Sequence, residues 1–557
     1  MLNSSCAVGN ALRGVPLKWR PDDGVGNGTE SVPYRICTVA FARKLLLLSA
    51  IIVGALPIST RANEPAPPST LRVGLVQIAL EPQLAQNRDK IAGFIRQAMW
   101  SDRRFNDAPG LFHVDGIPCA ATICADRWIR SVEELPAAAG AKILIEISNN
   151  YGDEWIPDLG WYWNVPRALR NEVYVLFANT ARENRATGNV GHGHTAAIAP
   201  DGSLLAAAGE ESDKLLIADL DLSQATGREA ITRRSHPLFK PFWDVGLSIL
   251  GGGREASAQH ALLASPEVKL KIAAAQIACS QRIEENVKAI VTAIHAAGAQ
   301  QVDVVVFPEL AVTGARDSDV SAASQPELLR AMEALQQAAK DARVHVACGL
   351  PWQENGRRLN CAVVIGPDGS ILTRYAQVVV DRPELFSPGD STAAMWCQIK
   401  GVPCVVTIGH ESLWSEIAEM AALRGAQLHL HLAYDQDTTP EGQLRRKQLW
   451  ANLASFRTFT ATVNAASPAG LSTPSAPAAG GSVIWEDLHR HNKRKGKGIG
   501  YWPYSAERLA EAHDGPTILY ATETVLQTNP HFQILTDKTN SQMTPWYAKG
   551  AEVIYGK

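Results

Sequence analysis

Two residues of this chain end apolar runs in positions where a reactive group can be presented. Cys124 follows Ala120-Ala121-Thr122-Ile123 and precedes Ala125-Asp126-Arg127-Trp128, while Glu309 follows Val304-Val305-Val306-Phe307-Pro308. A thiol attacks carbon as its thiolate, and a carboxylate within reach can take the thiol proton. Each residue also has a plainer reading. The alternative for Cys124 is a small buried hydrophobe at a strand end, and for Glu309 a capping carboxylate after a buried strand. Cys119 and Cys404 lie inside apolar runs and read as inert core residues. There is no CxxC pair and no HxxxH spacing, so neither a structural metal nor a cofactor is expected.

The elements that must position these residues occur twice. Leu71-Arg72-Val73-Gly74-Leu75-Val76-Gln77-Ile78-Ala79 matches Leu270-Lys271-Ile272-Ala273-Ala274-Ala275-Gln276-Ile277-Ala278 at a spacing of 199 residues. Gly116-Ile117-Pro118-Cys119-Ala120-Ala121-Thr122-Ile123 matches Gly401-Val402-Pro403-Cys404-Val405-Val406-Thr407-Ile408 at a spacing of 285. The two registers differ by 86, so the first copy lacks about that many residues between its opening strand and its cysteine strand. Short apolar runs such as Val302 to Phe307 and Lys142 to Ile147, separated by amphipathic stretches, predict an α/β layered fold. The Gly-rich segment between Leu250 and Val268 reads as the linker.

Three segments together resemble the nitrilase superfamily of carbon–nitrogen hydrolases. Val304 to Leu310 resembles the strand carrying that family's general base, Glu309 here. Ile371 to Val378, followed by Phe386-Ser387-Pro388-Gly389-Asp390, resembles the segment carrying its lysine, and Thr122 to Trp128 resembles the elbow carrying its cysteine. The resemblance implies a four-layer αββα sandwich, duplicated in tandem. It also implies attack of a cysteine thiolate on a linear amide, nitrile or carbamoyl amine, with thioester hydrolysis by water that the glutamate activates. A lysine ammonium would stabilise charge on the tetrahedral species.

Both copies depart from that pattern. In the second, Gln377 stands at the lysine position and Gly409 at the cysteine position. In the first, Cys124 is present, but the missing segment would have carried both glutamate and lysine. His410 and Glu411, beside the vacated position, read as a satisfied polar pair. Two outcomes stay open: an amidase-like enzyme using Cys124, or a catalytically degenerate member that binds a small amide or a protein partner.

Composition sets the remaining expectations. With 46% hydrophobic and 20% charged residues and a net charge of -3, the 557-residue chain reads as globular with no nucleic-acid footprint. The basic run His489 to Lys497 reads as a solvated loop. Arg43-Lys44, the apolar run Leu45 to Ile58 and the small residues at Thr60-Arg61-Ala62 have the layout of a secretory signal peptide. That run falls short of the roughly 20 residues a spanning helix needs, so a secreted or periplasmic protein without an integral span is expected, with an uncleaved membrane anchor as the alternative. The expected organisation is an unstructured extension at 1–42, a signal peptide at 43–62, a truncated domain at 70–250, a full domain at 268–535 and a tail at 536–557. The expected partner is a small amide-like molecule, with a homodimer as a further possibility. N-terminal sequencing of secreted or periplasmic material should find the mature chain starting near Asn63. Recovery of residues 1–40 on that material would contradict it.

Overall fold

The structure is a computed structural model, and it describes residues 52–53, 69–77, 111–123, 130–149, 155–181, 192–211, 213–250, 267–455, 458–486 and 507–525. Outside them fall Cys124, the proposed cleavage site, most of the apolar run before it, the linker, the basic run and the tail.

In the second copy the β-branched runs become strands buried on both faces. One six-stranded sheet has the order Ile371–Ala376, Arg357–Ile365, His345–Glu354, Val304–Val306, Val268–Gln276, Thr517–Val525. The other runs Trp396–Ile399, Val402–Ile408, Leu428–Leu432, Phe459–Val463, Val483–Trp485, Arg508–Glu511. Central pairings are parallel and outer ones antiparallel, which fits near-continuous apolar strands sheltered on both sides. Leu270, Ile272, Val304 and Val306 pack with Val402, Cys404, Val406 and Ile408 in one core between the sheets.

Helices cover both outer faces. Ile290 and Ile294 of helix Ile283–Ala299, with Leu335 and Ala339 of helix Gln325–Ala342, pack on Val305 and Phe307. The second of these helices starts at a capping box, with Ser324 and Glu327 exchanging hydrogen bonds. On the opposite sheet, Ala418 and Ala422 of helix Ser415–Arg424 and Trp450 of helix Pro440–Ala454 pack on Val483 and Trp485. The layering is αββα, as the sequence implied.

In the first copy one sheet has six strands and the other has three among the described residues. Its strands Phe112–Val114, Ile117–Ile123, Ile143–Ser148, Tyr174–Asn179, Ala196–Ile198 and Leu204–Ala207 repeat the order of the second copy's cysteine-position sheet. Its other sheet contains, among the described residues, only Ile52–Val53, Thr70–Gln77 and Lys214–Asp221. No described residues take the places of the strands bearing Glu309, Asn360 and Gln377. Ile52–Val53 lies within the apolar run read as a signal peptide and pairs antiparallel with Gly74 and Val73.

Hydrogen bonds repeat along with the strands. Gln77 Nε2 donates to the Gly209 carbonyl at 3.1 Å, and Gln77 Oε1 accepts the Thr195 N–H at 2.9 Å. In the second copy Gln276 Nε2 donates to the Gly515 carbonyl at 2.7 Å, and Gln276 Oε1 accepts the Ser482 N–H at 2.9 Å. Asn179 and Asn464 bond the Gly193 and Gly480 carbonyls in the same way.

The copies are packed on each other. Phe239, Phe242 and Trp243 of the first join the second copy's core, and Leu159 and Tyr162 pack with Trp450. Fully buried Arg233 lies 3.3 Å from fully buried Glu416 of the second copy and donates to the Arg170 carbonyl and Asn171 Oδ1. Removing one side of such an interface leaves apolar surface uncovered. A 63–255 fragment expressed alone should therefore aggregate or bind a hydrophobic dye. A soluble fragment that unfolds cooperatively would contradict this. Among the described residues no helix is long and apolar enough to cross a membrane.

Candidate functional site

The strand Val304–Val306 ends at Phe307-Pro308, and the chain then turns so that Glu309 stands over the second sheet. The Glu309 N–H bonds the Ala433 carbonyl at 3.3 Å, and Leu310 takes a left-handed φ of 51°. Such a backbone is uncommon for a branched residue and persists only where the surroundings hold it. Gly349 of the neighbouring strand is part of that hold. A Cβ there would lie 2.5–2.6 Å from backbone atoms of Pro308, Glu309 and Leu310, so only glycine admits the turn.

The second copy brings three of the expected positions together. Asn360 Nδ2 donates to Glu309 Oε1 at 2.6 Å and to Gln377 Oε1 at 2.9 Å. Gln377 Nε2 donates to the Ile408 carbonyl at 3.2 Å, and Gly409 follows directly. A Cβ built on Gly409 would sit 2.6 Å from Glu309 Oε2, which puts the expected nucleophile position immediately beside the expected base. Gly409 has φ 46°, a conformation that glycine adopts without strain. Glu309, Asn360 and Gln377 are all buried. Without a thiol or an ammonium, these groups can hold an amide by hydrogen bonds but cannot form a thioester.

His410 and Glu411 are satisfied, but not by each other. Glu411 accepts from the Tyr375 hydroxyl and from the N–H groups of Val378 and Ile408, the last two at 2.9 Å, and so fastens the lysine-position strand to the elbow. His410 Nε2 lies 3.6 Å from Glu229 Oε1, a carboxylate of the first copy. Burial opposes the imidazolium, yet Glu229, aided by Asp381 and Glu411, raises His410 above its ordinary value.

Cys124 lies outside the described residues. The strand leading to it is described up to Ile123, which pairs with Ile147. Beyond that strand end, Thr180 Oγ1 donates to Asn149 Oδ1 at 2.7 Å. Glu146, opposite Thr122, has its Oε2 taken by Arg167 at 2.6 Å and Asn164 at 2.9 Å. Sequence reasoning missed Asn360 and Tyr375. For Asn360 the available signal was a lone amide within the otherwise apolar run Leu359 to Ile365.

Burial pushes the Glu309 carboxyl up to about 7. Asp381 adds to that, while Arg382 and the Asn360 hydrogen bond work against it. Burial likewise carries Glu411 to about 7 against its hydrogen-bond donors. A carboxyl whose folded-state pKa lies above its unfolded value contributes stability that is complete below about pH 4.5 and lost as pH rises through about 7. Stability against urea should fall between pH 5 and 8. Glu309→Gln should flatten that fall by roughly 1–3 kcal/mol, since one pKa unit corresponds to about 1.4 kcal/mol. An unchanged slope in the variant would mean that Glu309 is ionised throughout.

Comparison with known proteins gives the family. The carbon–nitrogen hydrolase family model matches residues 51–228 and 271–490, together more than half of the chain. Omega-amidase NIT2-B of Xenopus laevis is 28% identical over 124 residues, 19% of this chain and 43% of the relative. Omega-amidase NIT2 of Xenopus tropicalis is 27% identical over the same shares. The chain thus spans less than half the length of the curated relatives it matches. Among solved structures, a cysteine mutant of the Nesterenkonia AN1 amidase from the nitrilase superfamily shares 21% identity, with a TM-score of 0.39 over 50% of this chain and 96% of that one. A double mutant of the same amidase, in complex with acrylamide, also gives 21% and 0.39, covering 47% and 93%.

Proposed function

This chain belongs to the carbon–nitrogen hydrolase family, and from that premise we propose that it hydrolyses a small linear amide, nitrile or carbamoyl amine through a thioester on Cys124. The observation that carries the reading is the elbow of the second copy. Gly409 sits against Glu309 with no thiol to activate, and Gln377 is tied to the Ile408 carbonyl where the family pattern has a lysine. Any covalent turnover therefore passes through the first copy. The second copy contributes packing and a buried cluster of polar side chains, Glu309, Asn360 and Gln377. Export by the segment before Asn63 belongs to the same proposal.

A non-catalytic reading rests on one observation, that the second copy gathers Glu309, Asn360 and Gln377 at an elbow without a thiol. It predicts saturable binding of short amides without release of ammonia. The deciding experiment incubates the full chain with a panel of short amides, nitriles and N-carbamoyl amines and follows ammonia. Release that iodoacetamide pretreatment abolishes supports hydrolysis, whereas binding with no release supports the second reading.

A further inference from the structure

The elbow strand of the second copy carries a feature that the first copy lacks. Strands Trp396–Ile399 and Val402–Ile408 form a hairpin through Lys400-Gly401, both at positive φ, 53° and 79°. This is the geometry that two-residue hairpins favour. The register places Cys397 directly opposite Cys404. Residues directly opposite on antiparallel strands share a face, with Cα atoms about 4.5–5.5 Å apart. That lies inside the roughly 4.4–6.8 Å a disulfide spans. Cys404 is fully buried in the core between the sheets, but Cys397 is only half-buried, so one sulfur of the pair is reachable. In the first copy the equivalent Cys119 faces Phe112, and no such pair exists there.

We propose that Cys397 and Cys404 form a dithiol that closes into a disulfide in an oxidising compartment. The proposal departs from the reading of Cys404 as an inert core residue. The Cys397 thiolate attacks one sulfur of a small external disulfide such as oxidised glutathione, breaking its S–S bond and releasing one thiol. Cys404 then attacks the Cys397 sulfur of the mixed disulfide, its proton passing to the departing glutathione sulfur, which leaves as the second thiol. Two protein thiols are oxidised and one external disulfide is reduced to two thiols. The bond would staple the hairpin whose strand ends at Ile408, the carbonyl that holds Gln377, directly before Gly409.

Trypsin cleavage after Lys400 separates the two cysteines, and the peptides 375–400 and 401–424 each contain one. The full-length protein is equilibrated in glutathione buffers of increasing oxidised fraction, natively and during refolding from urea. It is then acid-quenched, alkylated, digested and mapped by mass. The expected result is a linked 375–400/401–424 pair that dithiothreitol separates and that Cys397→Ser eliminates, leaving Cys404 alkylated. A persistent glutathione adduct on Cys397, separate alkylation of both cysteines in excess oxidised glutathione, or pairing of either with Cys279, Cys348 or Cys361 would overturn the proposal.

Discussion

Replacing Cys124 by alanine should take hydrolysis of any amide to background, a loss of up to about 10⁶-fold where a covalent nucleophile is removed. Glu309→Gln should leave the rate within a factor of about two, because Glu309 serves a pocket without a thiol, about 1.4 kcal/mol being needed for a tenfold change. The pair of variants separates the two copies. Loss of activity in both would mean one composite site drawn from the two halves, and activity that survives Cys124→Ala would remove the first copy from the chemistry.

The second large effect is a gain. Gly409→Cys combined with Gln377→Lys restores the residue types that the family pattern places around Glu309. The new Cβ would lie 2.6 Å from Glu309 Oε2, the far end of a flexible carboxylate that can swing aside to accept the thiol proton. The lysine would occupy the space in which Gln377 now meets the Ile408 carbonyl. A left-handed backbone at a non-glycine residue costs about 1–3 kcal/mol, so the variant should be less stable by that amount. In a Cys124→Ala background it should acquire thiol-dependent acylation by activated amides or esters, and the single Gly409→Cys should be slower by about 10²–10³-fold for want of the charged donor. Acylation measured by mass would show this. A folded double variant that stays unacylated would mean that the pocket has closed to substrate.

The sequence made the repeat legible because its cues are local. The paired runs around Gln77 and Gln276 mark equivalent strands, and the difference between two registers locates what the first copy lacks. Among the described residues the first copy's opening strand lies in a three-stranded sheet and its counterpart in a six-stranded one. The burial of Asn360 was not legible, because an amide inside an apolar strand acquires meaning only when the turns that bring Glu309 and Gln377 to it are known. The Arg233–Glu416 contact between copies has no local signature, since ion pairing across a buried interface depends on how two helices dock. The same holds for His410, whose nearest acid in sequence is Glu411 but whose partner is Glu229, 181 residues away. Cys397 facing Cys404 follows from hairpin register, and a Lys-Gly turn is a weak cue beside the Asn-Gly and Asp-Gly pairs that announce such hairpins.

The central claim, that covalent chemistry in this chain resides on Cys124 and is absent from the Gly409 elbow, is tested most directly by trapping the intermediate. The full chain is mixed with a turned-over amide, quenched in acid within one turnover, digested and mapped by mass. The account predicts an acyl increment on Cys124 alone. An acyl group on any residue of the second copy, or steady release of ammonia with Cys124 recovered unmodified, would contradict it.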